Sequence, residues 1–149
     1  MSANTPSHAE TGARFSRRRT VAGNDVDELQ HVNNVVWLRY IVQLAHAHYE
    51  SLGFDFHEDR RAGAVWVVRR HEIDYHRGAA EGAELLEETW VSHVHGARLV
   101  RHSRFCLATD GTLLVQARSL WAYVDPLTMK PNRIPQDVIA RYTLLLDED

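Results

Sequence analysis

The sequence predicts an α+β domain in which an antiparallel sheet curls around one long central helix. Three observations carry this expectation. A stretch from Asn33 to Gly53 is apolar on nearly every side in its first half, the mark of a helix that other elements must cover. Downstream, four segments between Ala64 and Val124 read as strands, by period-two alternation and β-branched or aromatic content. The pair Asp110-Gly111 between the last two tolerates the positive φ angles of a tight hairpin turn.

The elements follow in chain order. Residues 1–13 are polar and lack the apolar core of a signal peptide, so a disordered tail is expected before a single domain over 14–149. Residues 14–22 read as a first strand, although Arg17-Arg18-Arg19 spoils its alternation. Gly23-Asn24-Asp25 breaks it. The helix starts at Asn33 or Asn34, since an Asn side chain accepts from the orphan amides of a first turn. It ends before Gly53, the residue type expected just past a helix. Residues 55–63 are polar and are expected to form a loop. Residues 64–75 read as a strand with Val65, Val67, Ile73 and Tyr75 on one face. Residues 84–95 and 97–108 form two more around Gly96. The strand over 112–124 sets Leu113, Val115, Ala117, Ser119, Trp121 and Tyr123 on one face. The four strands are expected in successive hairpin connection. Pro135 opens a short last helix reaching about Tyr142.

Composition narrows the function classes. The 149 residues suit one core. A formal net charge of −3 gives no global basic field for a nucleic-acid backbone. No apolar run approaches the roughly 20 residues of a membrane span. One cysteine, Cys106, allows no internal disulfide, which points to a reducing cytoplasm. In mid-strand it reads as a small buried hydrophobe. The ten histidines suggest metal at first, but His46 and His48 fall on different helix faces and His93 and His95 lack a third ligand, so no metal site is assigned.

The chemistry concentrates in residues 25–34, which run straight into the helix. They place carboxylates, an imidazole and two carboxamides before a helix N-terminus, whose unpaired amides and positive dipole end can hold an oxyanion. A carboxylate beside it can activate water or attack a carbonyl itself. Asp and Asn before a helix also serve as plain caps and turn formers, and the residues alone leave both readings open.

The run Asp25-x-Asp27-x-x-x-His31-Val32-Asn33-Asn34, continued by Val35-Val36-Trp37-Leu38-Arg39-Tyr40, resembles the signature of acyl-CoA thioesterases of the 4-hydroxybenzoyl-CoA thioesterase type. It also resembles the matching stretch of plant acyl-ACP thioesterases. Further matches follow in register: Val68-Arg69-Arg70 with Ile73-Asp74-Tyr75, Glu88-Thr89-Trp90-Val91, and Trp121-Ala122-Tyr123-Val124-Asp125 with Arg133-Ile134-Pro135. The resemblance implies a hotdog fold and a cofactor-free thioesterase acting on an acyl-CoA or acyl-carrier-protein thioester. It places the catalytic carboxylate on Asp27 and the carbonyl-polarising helix amide on Asn34, with at least a homodimer, or a homotetramer, whose sites are completed by the neighbouring subunit. Leu29 stands where plant enzymes carry Asn, Gln30 where bacterial relatives carry Gly, Gly78 where Pro is common, and Ala83 where Asp is common. Of these, Gly78 and Ala83 are expected to lie clear of the chemistry.

His31 either relays a proton or packs the loop. Asn33 reads as the helix cap before it reads as a catalytic group, and it counts among the candidate substrate-binding residues. Arg69 and Arg70, with Arg98, Arg101 and Arg104, are candidates for CoA phosphates or an acidic carrier surface, and otherwise for solvated charges. Trp37, with Tyr40, Ile41 and Trp66, either lines an acyl pocket or fills the core. The rival readings are a non-catalytic acyl-CoA-binding domain, an enzyme specific for carrier-bound polyketide or fatty acyl chains, and a dehydratase or hydratase acting on the acyl chain.

Overall fold

The computed structural model describes residues 14–142; the expected tail over 1–13 and residues 143–149 lie outside the described residues. In chain order the elements are β1 (Arg14–Thr20), a 3-10 turn (Gly23–Asp25), α1 (Asn34–Ser51), α2 (Phe56–Ala62), β2 (Val65–Tyr75), β3 (Glu84–His95), β4 (Arg98–Leu107), β5 (Leu113–Val124) and α3 (Gln136–Tyr142). The strands form one antiparallel sheet in the order β1-β3-β4-β5-β2. Only β3, β4 and β5 follow one another as hairpins. The expected succession of four hairpin-connected strands fails at β2, which crosses over to pair with β5 at the far edge, a long-range choice that no local turn signal records.

Helix α1 lies on the inner face of the sheet. Its Trp37, Tyr40, Ile41 and Leu44 are buried against Leu85, Phe105, Val115 and Ala117. Trp37 meets Tyr40 and Phe105 edge-on, with ring centroids 5.6 and 5.4 Å apart, geometry worth about 0.5–1.5 kcal/mol beyond burial for each pair. The sheet covers one side only. Val35, Leu38 and Val42 form an exposed apolar stripe at helical spacing along one flank of the helix, so within one chain α1 is less enclosed than its composition predicts.

The arginine run of β1 is explained by the core. Glu87 is fully buried, cross-strand from Phe105 on the inner face. Arg17 and Arg19 reach it at 2.7 and 2.5 Å, and the Arg19 guanidinium lies 3.9 Å from the Tyr40 ring centre. Alternate arginines thus point inward to neutralise a buried carboxylate, which is tolerable only with such partners.

The segment read as a polar loop contains α2. The Asp55 side chain accepts from Glu58 N–H at 2.9 Å, Glu58 and Asp59 sit at the positive end, Arg60 and Arg61 at the negative end, and Gly63 closes it at φ 95°. Caps and dipole-matched charges hold this short helix, and neither leaves an apolar period in the sequence.

The face assignment of β2 is also corrected. Val65 and Val67 pair with Val124 and Ala122 in an outer cluster, whereas Ile73 and Tyr75 pair with Ala117 and Val115 on the helix side. A bulge between Val68 and Arg70 inserts one residue and switches the parity. A shift between Phe105 and Cys106 does the same on β5, so that Leu114 joins Val115 in the core and Leu113 pairs with Cys106.

Candidate active site

The loop before α1 is closed by its own backbone. Val26 bridges Val32, Asp27 N–H donates to the His31 carbonyl at 2.9 Å, and Gln30 N–H donates to the Asp27 carbonyl at 2.9 Å. This tight turn requires Gln30 at φ 66°, the left-handed region that favours glycine. Asp25 anchors the loop to the helix. Its carboxylate accepts from the Tyr40 hydroxyl at 2.6 Å and pairs with Arg39. The Tyr40 bond, with Arg39, holds the Asp25 carboxyl below the usual carboxylate range, and burial with the same bond raises the Tyr40 phenol. Asn33 N–H and Val32 N–H tie the loop's other strand to the carbonyls of Asp25 and Ala79 at 3.1 and 2.8 Å.

The turn presents Asp27 half-buried. Its Oδ1 accepts from Leu29 N–H at 2.9 Å, while Oδ2 has no partner among the described residues. Asn33 caps α1, with its side chain accepting from Val35 N–H at 2.9 Å and its carbonyl from Val36 and Trp37. The Asn34 N–H is thereby left without an acceptor among the described residues, at the positive end of an 18-residue helix.

Asp27, His31, Asn33, Asn34 and Trp37 line one groove of about 540 Å³. Trp37 serves both as groove wall and as core, being 1% exposed. Arg69 and Arg70 do not line this groove in the single chain; Arg70 pairs with Glu72 at 3.0 Å, and Arg69 is the residue inserted at the β2 bulge. The opposite wall is Tyr75, His76, Arg77 and Gly78, with the Tyr75 hydroxyl 3.5 Å from the Asn34 carbonyl. Sequence reasoning did not select these residues. Their signal is positional: they leave the end of β2, where a strand facing the helix must deliver its next residues to the helix start. Gly78 also proves closer than expected. A Cβ there would sit 2.8 Å from Cγ and Nδ1 of His31, so the His31 ring rests on a residue that has no room for a side chain.

Arg101, grouped with surface arginines by the sequence, is 3% exposed. The parity of β4 carried the signal, because Leu99, Arg101, Ser103 and Phe105 alternate onto one face.

The comparisons agree with this architecture. Residues 12–142 match the family model of the acyl-ACP thioesterase N-terminal domain. An acyl-CoA thioester hydrolase, YbgC of Escherichia coli, is 34% identical over 78 residues, which covers 52% of this chain and 58% of that protein. The chain thus matches little more than half the length of that relative. Among solved structures, a 1,4-dihydroxy-2-naphthoyl-CoA thioesterase from Synechocystis superposes with a TM-score of 0.80 at 17% identity, covering 87% of this chain and 95% of that one. The 12:0-ACP thioesterase from Umbellularia californica gives a TM-score of 0.82 at 17% identity, with 98% of this chain and 55% of that one covered. The fold is the hotdog fold, and the chain belongs to the acyl-ACP thioesterase N-terminal domain family.

Proposed function

We propose that this chain hydrolyses an acyl thioester of CoA or of acyl-carrier protein, with Asp27 as the acting carboxylate. The observation that carries the reading is the pairing, in one groove, of an Asp27 oxygen and the Asn34 amide, both without partners among the described residues. In this scheme Asp27 Oδ2 takes a proton from water, and the hydroxide attacks the thioester carbonyl carbon. The carbonyl oxygen gains charge and accepts from Asn34 N–H at the helix terminus. The thiolate leaves as the C–S bond breaks and recovers the proton from Asp27. Attack by Asp27 itself, through a mixed anhydride, uses the same two groups. His31, whose carbonyl accepts from Asp27 N–H across the turn, orients the water in this scheme. The activity of the full-length relatives and the family membership support the thioester as substrate.

Assembly belongs to the same proposal. Leu29 is 77% and Val35 73% exposed beside the groove, Leu38, Val42 and Tyr75 continue the apolar surface, and β2 is an open sheet edge. Such an edge and such a patch favour a second copy that completes the site. Residues of that copy then share the substrate with Arg69 and Arg70.

The test is free-thiol release from a panel of acyl-CoAs and acyl-carrier proteins by wild type and Asp27→Asn. Turnover by wild type and a loss of about 10²-fold or more in the variant is expected. Tight binding of acyl-CoA with no release by either protein would instead make this a non-catalytic binding domain.

A further inference from the structure

A second, smaller cavity of about 120 Å³ opens between α1 and the sheet, where Val42, Phe56, Trp66, Trp121, Tyr142 and Arg101 meet. The Arg101 Nη1 donates to His48 Nδ1 and to Thr89 Oγ1, each at 2.9 Å, and the guanidinium carbon lies 5.8 Å from the Tyr142 ring centre. Every one of these partners is neutral. His48 is held uncharged, because burial and the neighbouring Arg101 push its pKa down to about 3. The buried carboxylate on the same sheet face, Glu87, is already taken by Arg17 and Arg19. Among the described residues no carboxylate pairs with Arg101, and a guanidinium does not shed its proton in proteins. A buried charge without a counter-charge is strongly disfavoured.

A second unsatisfied donor belongs to a residue of the same cavity wall. The Trp121 indole Nε1 is buried and has no acceptor among the described residues, although buried indole N–H groups ordinarily find one. Arg101, a cation without a counter-charge, and Trp121, with an unsatisfied indole N–H, are thus both residues of an otherwise mostly apolar cavity wall. We propose that this cavity receives the far end of the acyl group and that this end is a carboxylate, which makes the substrate the monothioester of an α,ω-dicarboxylic acid. The inference rests on the thioesterase reading of the Asp27 groove. A carboxylate fits better than a phenol because it carries charge at neutral pH and accepts the fork of an arginine.

The spacing sets a length class. Val42, on the cavity wall, follows Asn34 by eight residues, about 12 Å along a helix. An extended chain advances about 1.2 Å per bond, so about ten bonds join the thioester carbonyl to the terminal carboxylate. The exposed apolar stripe of Leu38 and Val42 offers the methylene chain a path between them.

Thiol-release rates of the full-length protein on sebacyl-CoA, decanoyl-CoA and 4-hydroxybenzoyl-CoA test this directly. The expected kcat/KM for sebacyl-CoA exceeds that for decanoyl-CoA by about tenfold or more, and the ratio falls toward one in Arg101→Met. Trp121→Phe, which keeps the ring and loses the donor, lowers the ratio as well and carries the comparison if Arg101→Met does not fold. Free sebacate is expected to raise the Tm of wild type and not that of these variants. Equal rates on the two chains, or preference for the hydroxyaryl ester, overturn the inference and leave the thioesterase reading intact. Absence of thiol release together with sebacate protection removes the thioesterase reading and keeps the carboxylate cavity; absence of both removes both.

Discussion

The Tyr40 hydroxyl donates to Asp25 Oδ2 at 2.6 Å, and through this bond the second turn of α1 holds the loop that carries Asp27. The phenol is buried and the carboxylate half-buried. Tyr40→Phe is expected to cost about 1.5 kcal/mol, the usual range for a hydrogen bond to a charged group. Urea unfolding measures that loss. Thiol-release assays should show kcat reduced severalfold, because the Asp27 turn loses its tether.

Gln30 occupies a left-handed backbone position at φ 66°. A side chain there is strained, and glycine relieves the strain while adding freedom to the unfolded chain. Gln30→Gly is expected to stabilise by about 0.5–1 kcal/mol on balance, seen as a Tm increase of about 2–4 °C. A decrease in Tm would show that the Gln30 side chain makes a compensating contact.

Gly78 lies under the His31 ring with no space for a Cβ. Gly78→Ala should displace the ring and lower kcat severalfold. In a His31→Ala background the same substitution should do little, and a double-mutant cycle reads the coupling. Additive effects would place the damage in the backbone of residues 76–79 instead.

His48 is buried between Phe15, Tyr142 and Arg101, and its pKa of about 3 lies below the ordinary value of 6.5. The folded protein therefore resists a proton that the unfolded chain accepts. This contribution is fully present above about pH 6.5 and is lost as pH falls toward 3, over which window stability drops by several kcal/mol. His71, also lowered by burial, acts in the same direction. Denaturant unfolding between pH 7 and pH 4 is expected to show a slope that His48→Gln flattens.

Much of the architecture was legible because it is local. Asn33 and Gly53 mark α1 through first-turn amides and a left-handed residue, and Asp110-Gly111 marks a hairpin. What was missed is non-local or non-apolar. The pairing of β2 with β5 leaves no signal in either turn. Helix α2 is held by Asp55, Gly63 and charges rather than by an apolar face. Within the groove, residues 27–34 stood out because a carboxylate, an imidazole and a helix start are adjacent in sequence. Tyr75 and Arg77 reach the same groove only through the course of β2. For Arg101 residue type points to the surface, and only the parity of β4, shared with Leu99 and Phe105, points inward.

The bulge in β2 has a consequence for chain length. Trp66 and Val68 precede Arg69 at even numbers on the helix side, and His71, Ile73 and Tyr75 follow it at odd numbers on the same side. Excision of Arg69 would leave an unbroken ladder, with each remaining residue of β2 keeping its partner on β5. The loss would be curvature, since a bulge bends and twists the strand that carries it. Tyr75 and the segment after it would then swing relative to Asn34. A one-residue deletion at this point thus acts on the aim of the groove wall while the hydrophobic inventory of the domain stays the same.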